Sequence, residues 1–247
     1  YRQLKDHAPY INTEYVYVAL PLAWIINKHG LAAAQHIIDM VHEAAADPSD
    51  LSKLFFVCQH ILVKDLNFRD SLVFTPHATS NDDYVAIPHY SCNYDLDLIK
   101  PWEDRDYDYS FMGDFGSHPT RGRLASLFKD HPNSVFINTS SWHFHTSEET
   151  QKLNKKKYIE LLGNSRHSLC PRGTGPSTIR LWESMAMGSC PIIFSDEGTM
   201  PKKSEPLWIR QNEDCRDLPK VSSYDSSLYF EMFSNENLYK SIVNKIT

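Results

Sequence analysis

The sequence predicts an α/β protein of two domains, each built on a parallel sheet with helices on its faces. Two observations carry the prediction. Over residues 14–101, short β-branched and aromatic runs alternate with helical patterns, and over residues 109–194 the order is strand, helix, strand, helix, strand, helix, strand. Between the two series lies a charged stretch, residues 95–108, punctuated by Pro101, which reads as a linker and places the domains at 1–101 and 102–247. A chain of 247 residues with 41% hydrophobic content suffices for two such domains.

The elements follow in order. Residues 14–20 are rich in aromatic and β-branched side chains and read as a strand. Residues 31–46 carry Ile37, Ile38, Val41 and Ala45 at helical spacing, and Asp47-Pro48 closes them. Residues 53–58, 71–75 and 84–88 read as three further strands, the last two bounded by Pro, Asn and Asp. In the second domain, residues 109–114 form a strand, 121–128 a helix, 134–138 a strand and 147–162 a polar amphipathic helix. Residues 206–209 give one more strand, and 226–246 a terminal helix with a patchy apolar face. In a doubly wound sheet the ligand belongs beyond the carboxyl ends of the strands.

The most informative stretch is 167–196, HSLCPRGTGPSTIRLWESMAMGSCPIIFSD. The run Pro171-Arg172-Gly173-Thr174-Gly175-Pro176 can neither continue a strand nor sit inside a helix, so it is a loop. Ser177 or Thr178 then caps a helix through Ile179, Leu181, Trp182, Met185 and Ala186, Gly188 stops it, and residues 190–194 are a buried strand. Open amides at such a helix start favour a phosphate, and Gly173 lets the backbone come close. Arg172 and Arg180 frame that spot, and Glu183, on the face of Arg180, is placed to accept hydrogen bonds from ribose hydroxyls. On spacing alone Arg180 and Glu183 are equally an exposed helical pair worth ~0.3 kcal/mol. The loop has neither the Lys-Ser/Thr of the ATPase phosphate loop nor G-x-G-x-x-G, which excludes an NAD-type oxidoreductase.

Leu169-Cys170-Pro171-Arg172-Gly173, Thr178-Ile179-Arg180-Leu181-Trp182-Glu183-Ser184 and Gly188-Ser189-Cys190-Pro191-Ile192-Ile193 resemble, in order and spacing, the signature of the exostosin family of inverting glycosyltransferases. Thr178 stands where the family commonly has Ser, and Ser184 where it often has Ala. In the first domain the resemblance is confined to Leu54-Phe55-Phe56-Val57 with His60, and to Val85-Ala86-Ile87-Pro88. It implies a GT-B fold, two Rossmann-like doubly wound domains facing a cleft, with a UDP-sugar donor in the second and a glycan acceptor in the first. Gly113 ends a strand, Phe111-Met112-Gly113, similar to the family's, and the terminal helix is expected to cross back to the first domain. The chain's brevity is similar to that of family members in large algal viruses, which puts UDP-xylose first as donor.

Sugar transfer needs a group that stabilises the departing diphosphate and a base that takes the acceptor's proton. Arg172, Arg180, Ser177, Thr178 and the helix amides suffice for two phosphates, so no metal cofactor is expected. For the base, His60 lies just past a strand end, with Asp65, Asp70, Asp82 and Asp83 in loops, and His60 and Asp65 are the candidates taken forward; single residues of these types are more often solvated or capping. The Asp95/Asp97 pair opens an alternative, a metal-dependent transferase, and Asp104, Asp106 and Asp108 give two similar pairs; an acidic linker is the commoner origin of such runs. His143 and His145 lack further ligands for a metal. A non-catalytic carbohydrate- or nucleotide-binding module is the other alternative, against which stands the retention of Arg172, Arg180 and Glu183.

A net charge of −6 argues against nucleic acid as a partner. The longest apolar run, residues 16–26, is interrupted by Pro21 and falls short of the ~20 residues of a membrane span, so a soluble chain is expected. Tyr1 in place of Met points to a trimmed N-terminus: a cytoplasmic location if the source is viral, the Golgi lumen if an anchor was removed. The cysteines, at 58, 92, 170, 190 and 215, are odd in number and never C-x-x-C, which predicts reduced thiols. Asn138-Thr139-Ser140 is a sequon that matters only in a secretory compartment.

Overall fold

In the computed structural model residues 14–45, 47–91, 93–139 and 147–233 are described. They form two α/β units with one parallel sheet each, the class expected. Unit 1 runs to Pro88 and takes in Gly198–Pro201, Met232 and Phe233; unit 2 comprises His89–Glu197 and Lys202–Glu231.

Unit 1 has four parallel strands in sequential order, β1 (Val16–Tyr17), β2 (Leu54–Val57), β3 (Leu72–Thr75) and β4 (Val85–Ala86). A parallel sheet must be covered on both faces, and its strands are accordingly apolar on both. Phe56 and Val73 face Leu22, Ile25 and Ile26 of α1 (Leu22–His29) and Ala34 and Ile38 of α2 (Leu31–Glu43), while Phe55, Phe74 and Ile87 form a second cluster with Tyr17 and Val85. Helix α1 has no counterpart in the sequence-based expectation. Pro21 breaks the apolar run, but it stands at the N-cap of α1, where its missing N–H costs nothing. Gly30, at φ 84°, turns the chain from α1 into α2.

Unit 2 runs β5 (Tyr107–Gly113), α3 (Pro119–Phe128), β6 (Ser134–Asn138), α4 (Glu148–Gly163), β7 (Ser165–Pro171), α5 (Ile179–Ala186), β8 (Cys190–Phe194), β9 (Ile209–Gln211) and α6 (Ser227–Phe233). Its sheet has the order β6-β5-β7-β8-β9, parallel throughout. Tyr109, Phe111, Leu124, Phe128, Leu169, Ile192 and Phe194 fill the layer between sheet and helices. The chain moves from β5 outward to β6 and then crosses back to β7 on the other side of β5. The loops after β5 and β7 therefore diverge, which opens a crevice at the carboxyl edge of the sheet.

Two expectations are modified. Residues 95–108 are not a free linker but part of unit 2: Leu98 and Ile99 pack on Ile159, Leu162 and Met187, and Lys100 N–H donates to Gly163 O at 3.1 Å. Arg105, 5% exposed, donates through Nη1 to Ser165 O at 2.8 Å and Gly188 O at 2.5 Å and through Nε to Lys100 O at 3.0 Å. Two of the charges that made the stretch look solvated are engaged, Asp106 by Lys100 and Asn164, Asp108 by Arg166 and Lys220. Pro206 lies inside a short 3-10 helix, Lys202–Leu207, and the strand begins only at Ile209. The terminal helix is described to Phe233; residues 234–246 of the expected helix, Trp142 to His145, Ser140 of the sequon and Cys92 lie outside the described residues. No helix among the described residues is long and apolar enough to cross a membrane.

Candidate functional site

Strand β7 ends at Pro171, and the loop that follows leads to Thr178 at the N-cap of α5. Thr178 has the extended backbone of a capping residue, φ −137° and ψ 136°, yet its side chain caps nothing, and no acidic residue lies in the first turn. The amides at the start of α5 are left without a side-chain acceptor from their own helix. Gly188, at φ 67°, supplies the stop.

Arg180 sits in that first turn and is 8% exposed. Its guanidinium carbon lies 4.4 Å from the Phe111 ring centroid and 5.8 Å from that of Tyr158, and Nη2 donates to Met112 O. Nε and Nη1 are buried with no hydrogen-bond partner among the described residues, and so is Ser177 Oγ. Gly113 makes room for this arrangement, since a Cβ there would stand 2.7 Å from Arg180 Nη2.

Glu183, one turn on, is 1% exposed, so it forms no surface pair with Arg180. Its Oε1 accepts from Asn93 Nδ2 at 2.5 Å and its Oε2 from Tyr158 Oη at 2.7 Å. Burial pushes the Glu183 carboxyl above the usual carboxylate range, against the opposing pull of those two hydrogen bonds and of Arg180.

Arg172 is differently placed. Its Nη1 lies 2.9 Å from Glu197 Oε2 and 3.7 Å from Glu213 Oε1, while Nε is buried without a partner among the described residues. Its carbonyl accepts Arg121 Nε at 3.0 Å, and a Cβ at Gly173 would stand 2.9 Å from Arg121 Nη2.

Residues 25–209, the greater part of the chain, match the model of the Exostosin GT47 domain. The chain belongs to the exostosin GT47 family. A probable glucuronosyltransferase of Oryza sativa subsp. japonica is 27% identical over 164 residues, 62% of this chain and 35% of that protein. A probable glucuronoxylan glucuronosyltransferase of Arabidopsis thaliana is 27% identical over 139 residues, 53% of this chain and 30% of that protein. The chain thus spans about a third of the length of the curated relatives it matches. The crystal structure of the glycotransferase of kitacinnamycin aligns over 99% of this chain and 62% of its own at 10% identity, with a TM-score of 0.31, too low to carry an argument.

The exostosin segments 169–173, 178–184 and 188–193 are, in unit 2, the end of β7, helix α5, and the turn into β8. They bring Arg172, Gly173, Ser177, Thr178, Arg180 and Glu183 to the carboxyl edge of the sheet, where Gly113 joins them from β5. Three contributors went unread in the sequence. Arg121, at the start of α3, was hidden among polar helix-start residues. Tyr158 follows Lys155-Lys156-Lys157, a run that reads as solvated surface. Asn93 lies in the segment before the supposed linker. The one available signal was topological, because α3 follows the strand that ends in Gly113 and its first turn must lie at the same edge.

The candidates for the base lie in unit 1. His60 Nδ1 accepts Leu62 N–H at 3.1 Å and Nε2 faces Asn27 Oδ1 at 3.2 Å, so both ring nitrogens are engaged, and burial lowers the pKa. Asp65 ends a short 3-10 helix, Val63–Asp65, with an exposed carboxylate that makes no hydrogen bond among the described residues. Asp82 caps its own loop, accepting from Thr79 N and Oγ1 and from Tyr84 N. His77, just past β3, is buried, and burial pushes it down to about 4 against a hydrogen bond with the Gln59 backbone. In unit 2, Asp95 Oδ1 accepts Asp97 N–H at 3.1 Å and closes a turn.

Proposed function

We propose that the chain binds the nucleotide-sugar donor of an inverting glycosyltransferase through the carboxyl edge of unit 2. The observation that supports this most is Arg180, a guanidinium nine-tenths buried whose Nε and Nη1 have no hydrogen-bond partner among the described residues, beside a helix start that its N-cap side chain leaves uncapped. Among the described residues no carboxylate lies at salt-bridge distance from this buried cation, and a diphosphate would supply the missing acceptors. In this reading Arg180, Arg172, Ser177, Thr178 and the first amides of α5 hold the diphosphate, and Gly113 and Gly173 keep the approach open. Glu183 takes the ribose hydroxyls when Asn93 Nδ2 gives way. The protein cations carry the leaving-group charge, so a divalent ion is not required.

In the reaction the acceptor hydroxyl oxygen attacks the anomeric carbon and the bond from that carbon to the β-phosphate oxygen breaks. UDP leaves with the electron pair, and a base takes the hydroxyl proton. Of the two candidates, Asp65 suits that role better than His60, whose acceptor nitrogen is already spent on Leu62 N–H. The Asp95/Asp97 alternative is disfavoured by the turn that Asp95 already closes. UDP-xylose remains the first candidate donor, and the relatives named as glucuronosyltransferases add UDP-glucuronate.

Calorimetric titration of the chain with UDP-xylose, UDP-glucuronate and UDP, with and without a chelator, tests the reading. A dissociation constant below a millimolar for at least one of them, unchanged in chelator, is expected. No binding of any of the three would overturn the donor site, and binding abolished by the chelator would overturn metal independence alone.

A further inference from the structure

The three arginines at the carboxyl edge of unit 2 differ in how their charge is met. Arg172 has Glu197 and Glu213 within 4 Å. Arg180 and Arg121 have no carboxylate at salt-bridge distance among the described residues. Arg121 is braced only by neutral oxygens: Nε donates to Arg172 O at 3.0 Å and Nη1 to Asp114 O at 3.3 Å, while Nη2 makes no hydrogen bond among the described residues. That free Nη2 lies against Gly173, as Arg180 Nη2 lies against Gly113. Both guanidinium carbons stand within 6 Å of one ring, at 5.7 Å and 4.4 Å from the Phe111 centroid.

Two like charges packed into one desolvated spot oppose each other. Burial first, and Arg180 second, pull the Arg121 guanidinium down to about 10, and Asp114 offsets part of this. The Asp114 carboxylate is itself engaged, Oδ1 accepting Gly116 N–H at 2.9 Å. Arg105, in the same unit, differs in having a carbonyl for every nitrogen: Nε meets Lys100 O at 3.0 Å, Nη1 meets Ser165 O and Gly188 O at 2.8 and 2.5 Å, and Nη2 meets Met187 O at 3.5 Å. What Arg121 and Arg180 lack is an anion shared between them.

We propose that Arg121 is a further cation of the diphosphate site, acting with Arg180 beside Phe111, while Arg172, already neutralised by Glu197 and Glu213, contributes less to phosphate affinity. This rests on the donor-site reading above. Arg121 also ties the loop after β5, through Asp114 O, to the loop after β7, through Arg172 O, so its fork and its charge act together.

Binding of pyrophosphate, UDP and uridine to the unmodified chain, Arg121→Gln and Arg121→Lys tests it. Arg121→Gln is expected to weaken pyrophosphate and UDP at least tenfold and leave uridine unchanged, and Arg121→Lys to recover only part of the loss. Melting without ligand identifies a variant that fails to fold. If the Gln variant does, a severalfold loss for pyrophosphate in Arg121→Lys, with uridine unchanged, supports the proposal. Equal pyrophosphate and UDP affinities in the unmodified chain and the folded variants would overturn it and leave the donor site standing. Equal losses for uridine and pyrophosphate would reduce Arg121 to a structural strut. Failure of the unmodified chain to bind UDP would remove both readings.

Discussion

Tyr158 Oη donates a 2.7 Å hydrogen bond to Glu183 Oε2, joining α4 to α5 through a carboxyl that is 1% exposed. The same tyrosine ring lies 5.8 Å from the Arg180 guanidinium carbon. One side chain thus serves a buried acid through its hydroxyl and a buried cation through its face.

Removing only the hydroxyl separates the two services. Tyr158→Phe leaves Glu183 Oε2 without its donor, and an unsatisfied buried acceptor costs about 1–3 kcal/mol. Urea unfolding is expected to show a loss of that size with pyrophosphate affinity little changed, because the ring beside Arg180 is kept. Unchanged stability would mean that the hydrogen bond is absent in solution.

Two glycines give opposite expectations for the same substitution. At Gly163 a Cβ would collide with the backbone carbonyl of Leu98, which cannot retreat, so Gly163→Ala is expected to destabilise by ~1–3 kcal/mol without a specific effect on binding. At Gly113 it would meet Arg180 Nη2, the far end of a flexible side chain, at 2.7 Å. Gly113→Ala is expected to cost little in melting temperature and to lower pyrophosphate affinity several-fold by displacing Arg180. Equal melting losses in the two variants would contradict this contrast.

Acid stability offers a test in unit 1. His77 has an ordinary value of 6.5 and is lowered by burial to about 4, so the folded state binds its proton more weakly than the unfolded state does. Its contribution is complete above 6.5 and is lost as pH falls through 4, on the order of 3 kcal/mol at 1.36 kcal/mol per unit. His77→Gln should flatten the fall of melting temperature across that window. His42, His60, His118 and His167 are also lowered by burial, so the wild-type curve keeps a slope in the variant. Superimposable curves would show that His77 is not buried in its neutral form.

The sequence was most legible where local chemistry and tertiary burial agree. Residues 190–194 were expected as a buried strand and are β8, because an all-apolar run between Gly188 and Asp196 has no competing solution. Ser147 caps α4 as its position implies, its Oγ accepting Thr150 N–H at 3.3 Å. Legibility failed where a long-range partner changed the meaning of a residue. Arg180 and Glu183 read equally as an exposed pair, and nothing local told that Tyr158 and Asn93 would come to bury Glu183. Arg105 read as linker charge because its acceptors, Ser165 O and Gly188 O, are 60 and 83 residues away. Pro21 hid α1 because a proline inside an apolar run and one at a helix start look alike until the helix is seen.

The Arg105 brace sits where β5 and β7 begin, and Arg180, held by Met112 O, sits where β5 ends. A strand of seven residues separates the two ends by roughly 20 Å, beyond the ~7–10 Å over which substitutions couple. The sheet therefore carries its brace at one margin and the family's signature segments at the other. A side-chain replacement at the carboxyl edge is expected to leave the brace, and the stability it lends, undisturbed.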